Sequence, residues 1–141
     1  MLKVGFYMSD KKPIATPQAW LAYAEGDLTV VEREMQSDLP VYHTVCFLCQ
    51  SAAEKFLKAY LIAQGWKLAK THDIVELLGY CANYDESWGK LLEAGTILNE
   101  YIIAGRYPGD IAVEGIRDKD AKEAVDAAQQ IRARVKTLLT F

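Results

Sequence analysis

The chain is short of the residues that most often carry chemistry by themselves. It has two histidines, His43 and His72, and they are too far apart, with no motif around His43, to have metal-ligand spacing. Three cysteines, an odd number, build no disulfide framework and are expected as free thiols. Cys46 and Cys49 satisfy C-x-x-C, but with no preceding strand and no second Cys or His pair to complete a zinc site. Core packing is the better reading, because unpaired cysteine is among the most buried residue types. A Gly-rich phosphate loop, a nucleophile elbow and a zinc-binding helix pattern are all missing. No metal and no cofactor are therefore expected. Basic charge is not in excess: 16 Lys and Arg stand against 19 Asp and Glu, a net charge of −3. That excludes a general polyanion-binding surface and leaves room for a local nucleotide or RNA site. No stretch has the length and apolarity needed to cross a bilayer, and no basic segment followed by an apolar one opens the chain, so a cytoplasmic protein is expected. Strand-like alternation, internal repeats and low-complexity tracts are also absent.

What the chain has in abundance is helical periodicity. Its 141 residues, 51% of them hydrophobic, suit one domain with a real core. The organising stretch runs from about Val41 to Gln64 without Gly or Pro and reads as one long helix. On a helical wheel Gln50, Ser51, Glu54, Lys55 and Lys58 share an arc of about 140°, while Cys49, Ala52, Ala53, Phe56, Leu57, Ala59 and Tyr60 occupy the rest. This predicts a central helix covered on most sides. The polar strip reads as a solvated face carrying a Glu54–Lys58 ion pair.

Thr16-Pro17 predicts the start of an earlier helix, with Trp20, Ala24, Leu28, Val31 and Met35 on its apolar face to about Met35 or Gln36. Ser37 to Pro40 is a tight turn, so the two helices lie antiparallel. Gly65 closes the long helix as a left-handed cap. Trp66 to Lys70 is a loop, and Thr71 caps a short helix carrying Ile74, Leu77, Leu78 and Cys81, with Asp73 in its first turn. Asp85 or Ser87 opens a fourth helix with Trp88, Leu91, Leu92, Leu98, Tyr101 and Ile102, ending at Gly105. Gly105 to Arg117 is a substantial loop. Asp118 or Asp120 opens the last helix, whose seam is Ala121, Ala124, Ala128, Ile131, Val135 and Leu138. Residues 1–15 form an arm, docked or mobile, ahead of a bundle domain over residues 16–141. The fold class is all-α, an up-and-down bundle of four to five helices.

The loop Gly105-Arg106-Tyr107-Pro108-Gly109-Asp110 is the best candidate site. A permanent guanidinium beside an aromatic ring suits gripping a phosphate and a base. The plainer alternative is that Arg106 caps the preceding helix and Tyr107-Pro108 pack the loop. His72, at a helix start, suits bonding a turn carbonyl or a carboxylate, the structural role a lone histidine usually has there. Asp27 is placed to pair with Lys55 or Lys58 in a fold-stabilising ion pair.

Gln-x-x-Ala-Glu-Lys-x-Leu-Lys-Ala, formed by Gln50, Ala53, Glu54, Lys55, Leu57, Lys58 and Ala59, is preceded by Trp20 and Asp27-Leu28 and followed by Thr71-His72-Asp73-Ile74. With Tyr101-Ile102-Ile103-Ala104-Gly105-Arg106-Tyr107-Pro108 it resembles the HEPN domain family across about residues 16–140. The resemblance implies a helical bundle, a homodimer, and the helical half of two-chain systems whose partner is a minimal nucleotidyltransferase, often a toxin and antitoxin arrangement. In the ribonuclease branches an Arg after the fourth helix is followed by four to six residues and a His. Arg106 matches the Arg, but Ile111, Ala112 and Val113 stand where the His would fall, and the imidazole wanted for proton transfer is missing. The expected function is a non-catalytic dimeric module binding nucleotide or RNA through Arg106, Tyr107 and Asp110. A variant ribonuclease toxin using Arg106 with Asp110 or His72, and a purely structural dimerisation module, are the alternatives.

Overall fold

The computed structural model describes residues 15–67, 70–102 and 115–140. Five α-helices and a 3-10 segment make up the described chain, which contains no strand. The first helix, α1 (Pro17–Met35), begins as its sequence predicts: Pro17 takes the first turn, and Thr16 Oγ1 accepts the Ala19 N–H at 3.1 Å. Its last turn then starts the next helix. The Glu34 carboxylate accepts the Val41 N–H at 2.8 Å, satisfying one of the orphan donors at the start of α2 (Tyr42–Ala63).

The long helix α2 is the axis of the core. Val45, Cys46, Cys49, Ala52, Ala53, Phe56, Leu57, Ala59, Tyr60 and Leu61 are all buried. It ends in a Schellman motif: Trp66 N–H reaches Leu61 O at 3.0 Å, Gly65 N–H reaches Ile62 O at 2.9 Å, and Gly65 has φ 102°. The short helix α3 (Ile74–Ala82) is capped by Asp73, whose carboxylate accepts the Glu76 N–H at 3.0 Å. The cap falls two residues later than expected at Thr71, because Thr71 Oγ1 is used to hold the Asp73 N–H.

The fourth helix is also shorter and less regular than its sequence suggests. Asp85 caps a 3-10 segment over Glu86–Leu91, and only from Leu92 does the backbone become α-helical, forming α4 (Leu92–Asn99). The 3-10 winding of three residues per turn shifts the phase of the side chains that follow. Leu92, expected on the apolar face, is thereby turned outward to 53% exposure, while Trp88, Leu98 and Tyr101 remain buried. Helix α4 approaches α3 closely at Gly95, where an added Cβ would stand 2.6 Å from Leu78 Cδ1. The helix ends at Asn99, with Glu100 as its C-cap, six residues before the stop expected at Gly105, which itself lies outside the described residues. The last helix, α5 (Asp118–Leu138), starts with the Asp120 carboxylate accepting the Arg117 N–H at 2.9 Å, and its Ala121, Ala124, Ala127, Ala128, Ile131 and Val135 close onto the core.

Cross-helix bonds give the directions. Asp27 meets Lys55 and Glu34 meets Val41, so α1 and α2 are antiparallel; Glu25 meets Arg132 and Lys136, which ties the middle of α1 to the second half of α5. The 3-10 segment and α4 return along α2, with Trp88 edge-on to Tyr60 at 5.1 Å between ring centroids. These four columns make the up-and-down bundle. The additional helix α3 packs antiparallel to α4, bringing Ile74 beside Asn99. No helix among the described residues is long and apolar enough to cross a membrane.

Candidate functional site

Gln50, Glu54 and Lys58 recur every four residues along α2 and so share one stripe. The sequence reading made this a solvated face, and the structure overturns that: Gln50 is fully buried and Lys58 is 4% exposed. The reason is tertiary. The stripe is covered by the residues leading into α3 and by Trp20 of α1. Gln50 Nε2 donates to the His72 carbonyl at 3.0 Å. Glu54 sits between its neighbours, taking Lys58 Nζ at 2.7 Å on one oxygen and meeting His72 Nδ1 at 2.9 Å on the other. Lys58 Nζ also lies 5.9 Å from the centre of the Trp20 ring, within reach of a cation–π attraction. A second stripe is tied to α1, where Asp27 accepts from Lys55 Nζ at 2.8 Å and Ser51 Oγ at 2.9 Å. Of the two partners expected for Asp27, Lys55 is the one it has.

His72 is thereby held by its backbone and by its ring. With Glu54 ionised, Nδ1 carries the proton and donates, which assigns the tautomer and leaves Nε2 as the acceptor nitrogen. The side chain is 53% exposed. The expected bond from His72 to a carboxylate is present, and a general base held by a carboxylate has the same arrangement.

The start of α3 is joined to the end of α4 through Asn99, which nothing in the sequence singled out. Asn99 Nδ2 donates to Asp73 at 2.8 Å, and Asn99 Oδ1 accepts the Ile74 N–H at 2.8 Å. The bond from Asn99, followed by the Glu76 N–H, holds the Asp73 carboxyl below the ordinary carboxylate range. An asparagine in a helical pattern carries no signal of such a partner, since the pairing spans 26 residues of sequence. His72 therefore stands beside the last turn of α4. Arg106, Tyr107 and Asp110 lie outside the described residues.

Cys46, Cys49 and Cys81 are buried free thiols, as expected for core cysteines. Burial pushes Cys46 and Cys81 up to about 12, and Cys49 upward as well. They stay protonated at neutral pH and are poor nucleophiles or metal ligands. Among the described residues no cluster of His, Cys, Asp or Glu could hold a metal ion.

The HEPN domain family model matches residues 17–138. A crystal structure of an archaeal HEPN homologue is 26% identical, with a TM-score of 0.71, covering 88% of this chain and 98% of that one. A crystal structure of a Thermus thermophilus protein is 32% identical, also with a TM-score of 0.71, covering 87% and 98%. No curated protein matches the chain.

Proposed function

The chain belongs to the HEPN domain family, and from that we propose that it is a nucleotide- or RNA-binding module working as a homodimer, with a separate minimal nucleotidyltransferase as partner in a toxin and antitoxin arrangement. The observation that carries the binding role is the braced end of the bundle. Asn99 bolts α4 to α3, and Glu54 and Gln50 fix His72 beside it. Arg106 follows Asn99 by seven residues in sequence, and the helix end that precedes it in the chain is a rigid support beside a half-exposed imidazole. Arg106 supplies permanent charge for a phosphate, Tyr107 a face for a base, and Asp110 an acceptor for a sugar hydroxyl or exocyclic amine. Two-fold pairing would bring two such loops to one ligand, which a single Arg would grip weakly.

One observation favours a second reading. The Glu54-oriented His72 provides a proton-transfer group in place of the one missing after Arg106, as a variant ribonuclease would require. The two separate in one assay with purified protein and labelled RNA in chelator. Binding without cleavage, weakened by Arg106→Ala, is the expected result. Cleavage by the parent protein that is lost in both Arg106→Ala and His72→Ala would replace the binding role with the ribonuclease. Neither binding nor cleavage would leave a structural dimerisation module.

A further inference from the structure

A groove of about 590 Å³ runs between α1 and α5. From the Glu25–Arg132 bond at one end, the residues lining it rise in number along α1 to Gln36 and fall along α5 to Lys122, so the two walls run in opposite directions. At the helical rise the trough is about 16 Å long. Leu28, Val31 and Met35 of α1 and Val125 of α5 give it an apolar lining. The cations at its two ends already have partners: Arg132 Nε bonds Glu25 at 2.9 Å, and Lys122 Nζ bonds Asp118 at 2.8 Å. The carboxylates in its middle do not. Counting from the Glu25–Arg132 bond at the helical rise, Glu32 lies about 10 Å along α1 and Asp126 about 9 Å back along α5, so the two stand at one level on opposite walls. Both are exposed and bond no cation among the described residues; Asp126 has only the neutral amide of Gln130, at 2.8 Å.

Two like charges held at one level repel each other, and a cation set between them is drawn by both. The arrangement selects an occupant that is cationic in its middle and apolar on either side. A linear polyamine is charged at its ends and would set them beside Arg132 and Lys122. An extended peptide has the required pattern when a basic residue is flanked by apolar ones two positions away on each side. Alternate side chains of a strand face the same way about 6.7 Å apart, and Leu28 and Met35 lie about 6 Å and about 4.5 Å to either side of Glu32 along α1. Beyond its α-helices and 3-10 segment, no Lys or Arg of this chain has a large aliphatic or aromatic residue on both sides at that spacing. We infer that the groove docks an extended segment of another protein, of the pattern apolar-x-basic-x-apolar, with its basic side chain between Glu32 and Asp126 and its apolar side chains over Leu28 and Met35. About five residues of extended chain span the trough. The assignment is independent of the Arg106 loop and does not rest on nucleotide or RNA binding.

The test adds the synthetic peptide acetyl-Leu-Ser-Arg-Ser-Leu-amide, at millimolar concentration, to the full ¹⁵N-labelled chain. Amide signals of Val31, Met35 and Val125 are expected to shift, while those of Val75 and Gly79 on α3 stay in place; groove signals that do not move would overturn the assignment. Peptides with both Leu replaced by Ser, or with Arg replaced by Glu, are expected to bind at least about tenfold more weakly. Equal binding by either would remove the floor or the carboxylates from the recognition and overturn it. Spermidine giving the same shifts at the same concentration would make this a plain cation site, and groove signals that move on diluting the protein alone would give the groove to a second copy; either result overturns the peptide assignment. Glu32→Lys with Asp126→Lys, at exposed positions that carry no cross-helix bond, is expected to reverse the preference, so that the Glu peptide binds and the Arg peptide does not. A folded variant that still prefers the Arg peptide would reject the charge pairing, and should the variant fail to fold, the peptide series on the parent chain decides alone.

Discussion

Glu54 is the residue on which most of the polar interior depends. It compensates a lysine that is almost wholly buried, orients His72, and lies within 3.4 Å of the Gln50 amide. A charged amine in that position is tolerable only while its partner remains. Glu54→Ala is expected to destabilise the protein by roughly 3 to 5 kcal/mol, the range for stranding one member of a buried pair. Replacing both partners, Glu54→Leu with Lys58→Met, should cost less than Glu54→Ala alone, because no unpaired charge is left behind. Urea titrations of the three proteins decide this, and a double variant as unstable as the single would count against the ion pair as the cause. Phe56, fully buried on the opposite side of α2, tests the apolar half of the same helix. Phe56→Ala should cost roughly 3 to 5 kcal/mol by loss of transfer energy and the cavity left behind; a loss below about 1 kcal/mol would show that the neighbours collapse into the space.

At the scale of elements, helices are joined end to end or side to side by carboxylates whose titration is shifted. Partial burial alone would push Glu25 up, but its bonds to Arg132 and Lys136 outweigh this and hold its carboxyl below the ordinary value of 4.5. Asp73 lies below its ordinary 3.8 through Asn99 and the helix N-terminus. A carboxyl lowered in the folded state adds stability that is fully present above its unfolded pKa and is lost as pH falls through the folded one. The unfolding midpoint should therefore hold steady down to about pH 5 and fall below it. Glu25→Gln and Asp73→Asn should each flatten part of that acid limb, as read by thermal melts across pH. Asp73→Asn keeps the capping oxygen, so a melt at pH 7 that changes little alongside a flattened acid limb separates charge from capping.

For the whole molecule, the proposed function takes a two-fold assembly. Sedimentation at micromolar concentration should give a homodimer. A monomer at every concentration would remove the paired-loop argument and leave each Arg106 to act alone. On the proposed function, Arg106→Ala should leave the assembly intact while weakening nucleotide or RNA binding, as a filter-binding titration would read.

Local chemistry determined much of this protein from the sequence alone. Pro17 behind Thr16, Gly65 at a left-handed cap, the unbroken run of α2 and the alanine seam of α5 act through neighbours three or four residues away, so the periodicity exposes them directly. The ion pair of Asp27 was legible to within two partners, Lys55 or Lys58, and the packing of α1 on α2 chose Lys55. What the tertiary structure alone decided is whether a polar stripe meets water. Gln50, Glu54 and Lys58 have the composition of a solvated face and are covered because His72 and Trp20 close over them from 18 residues or more away in sequence. Asn99 finds Asp73 in the same way, and the 3-10 start of the fourth helix turns Leu92 outward by a phase shift that no hydrophobic pattern encodes. A helix's own sequence specifies which residues share a face; only the packing of distant segments settles what that face looks onto.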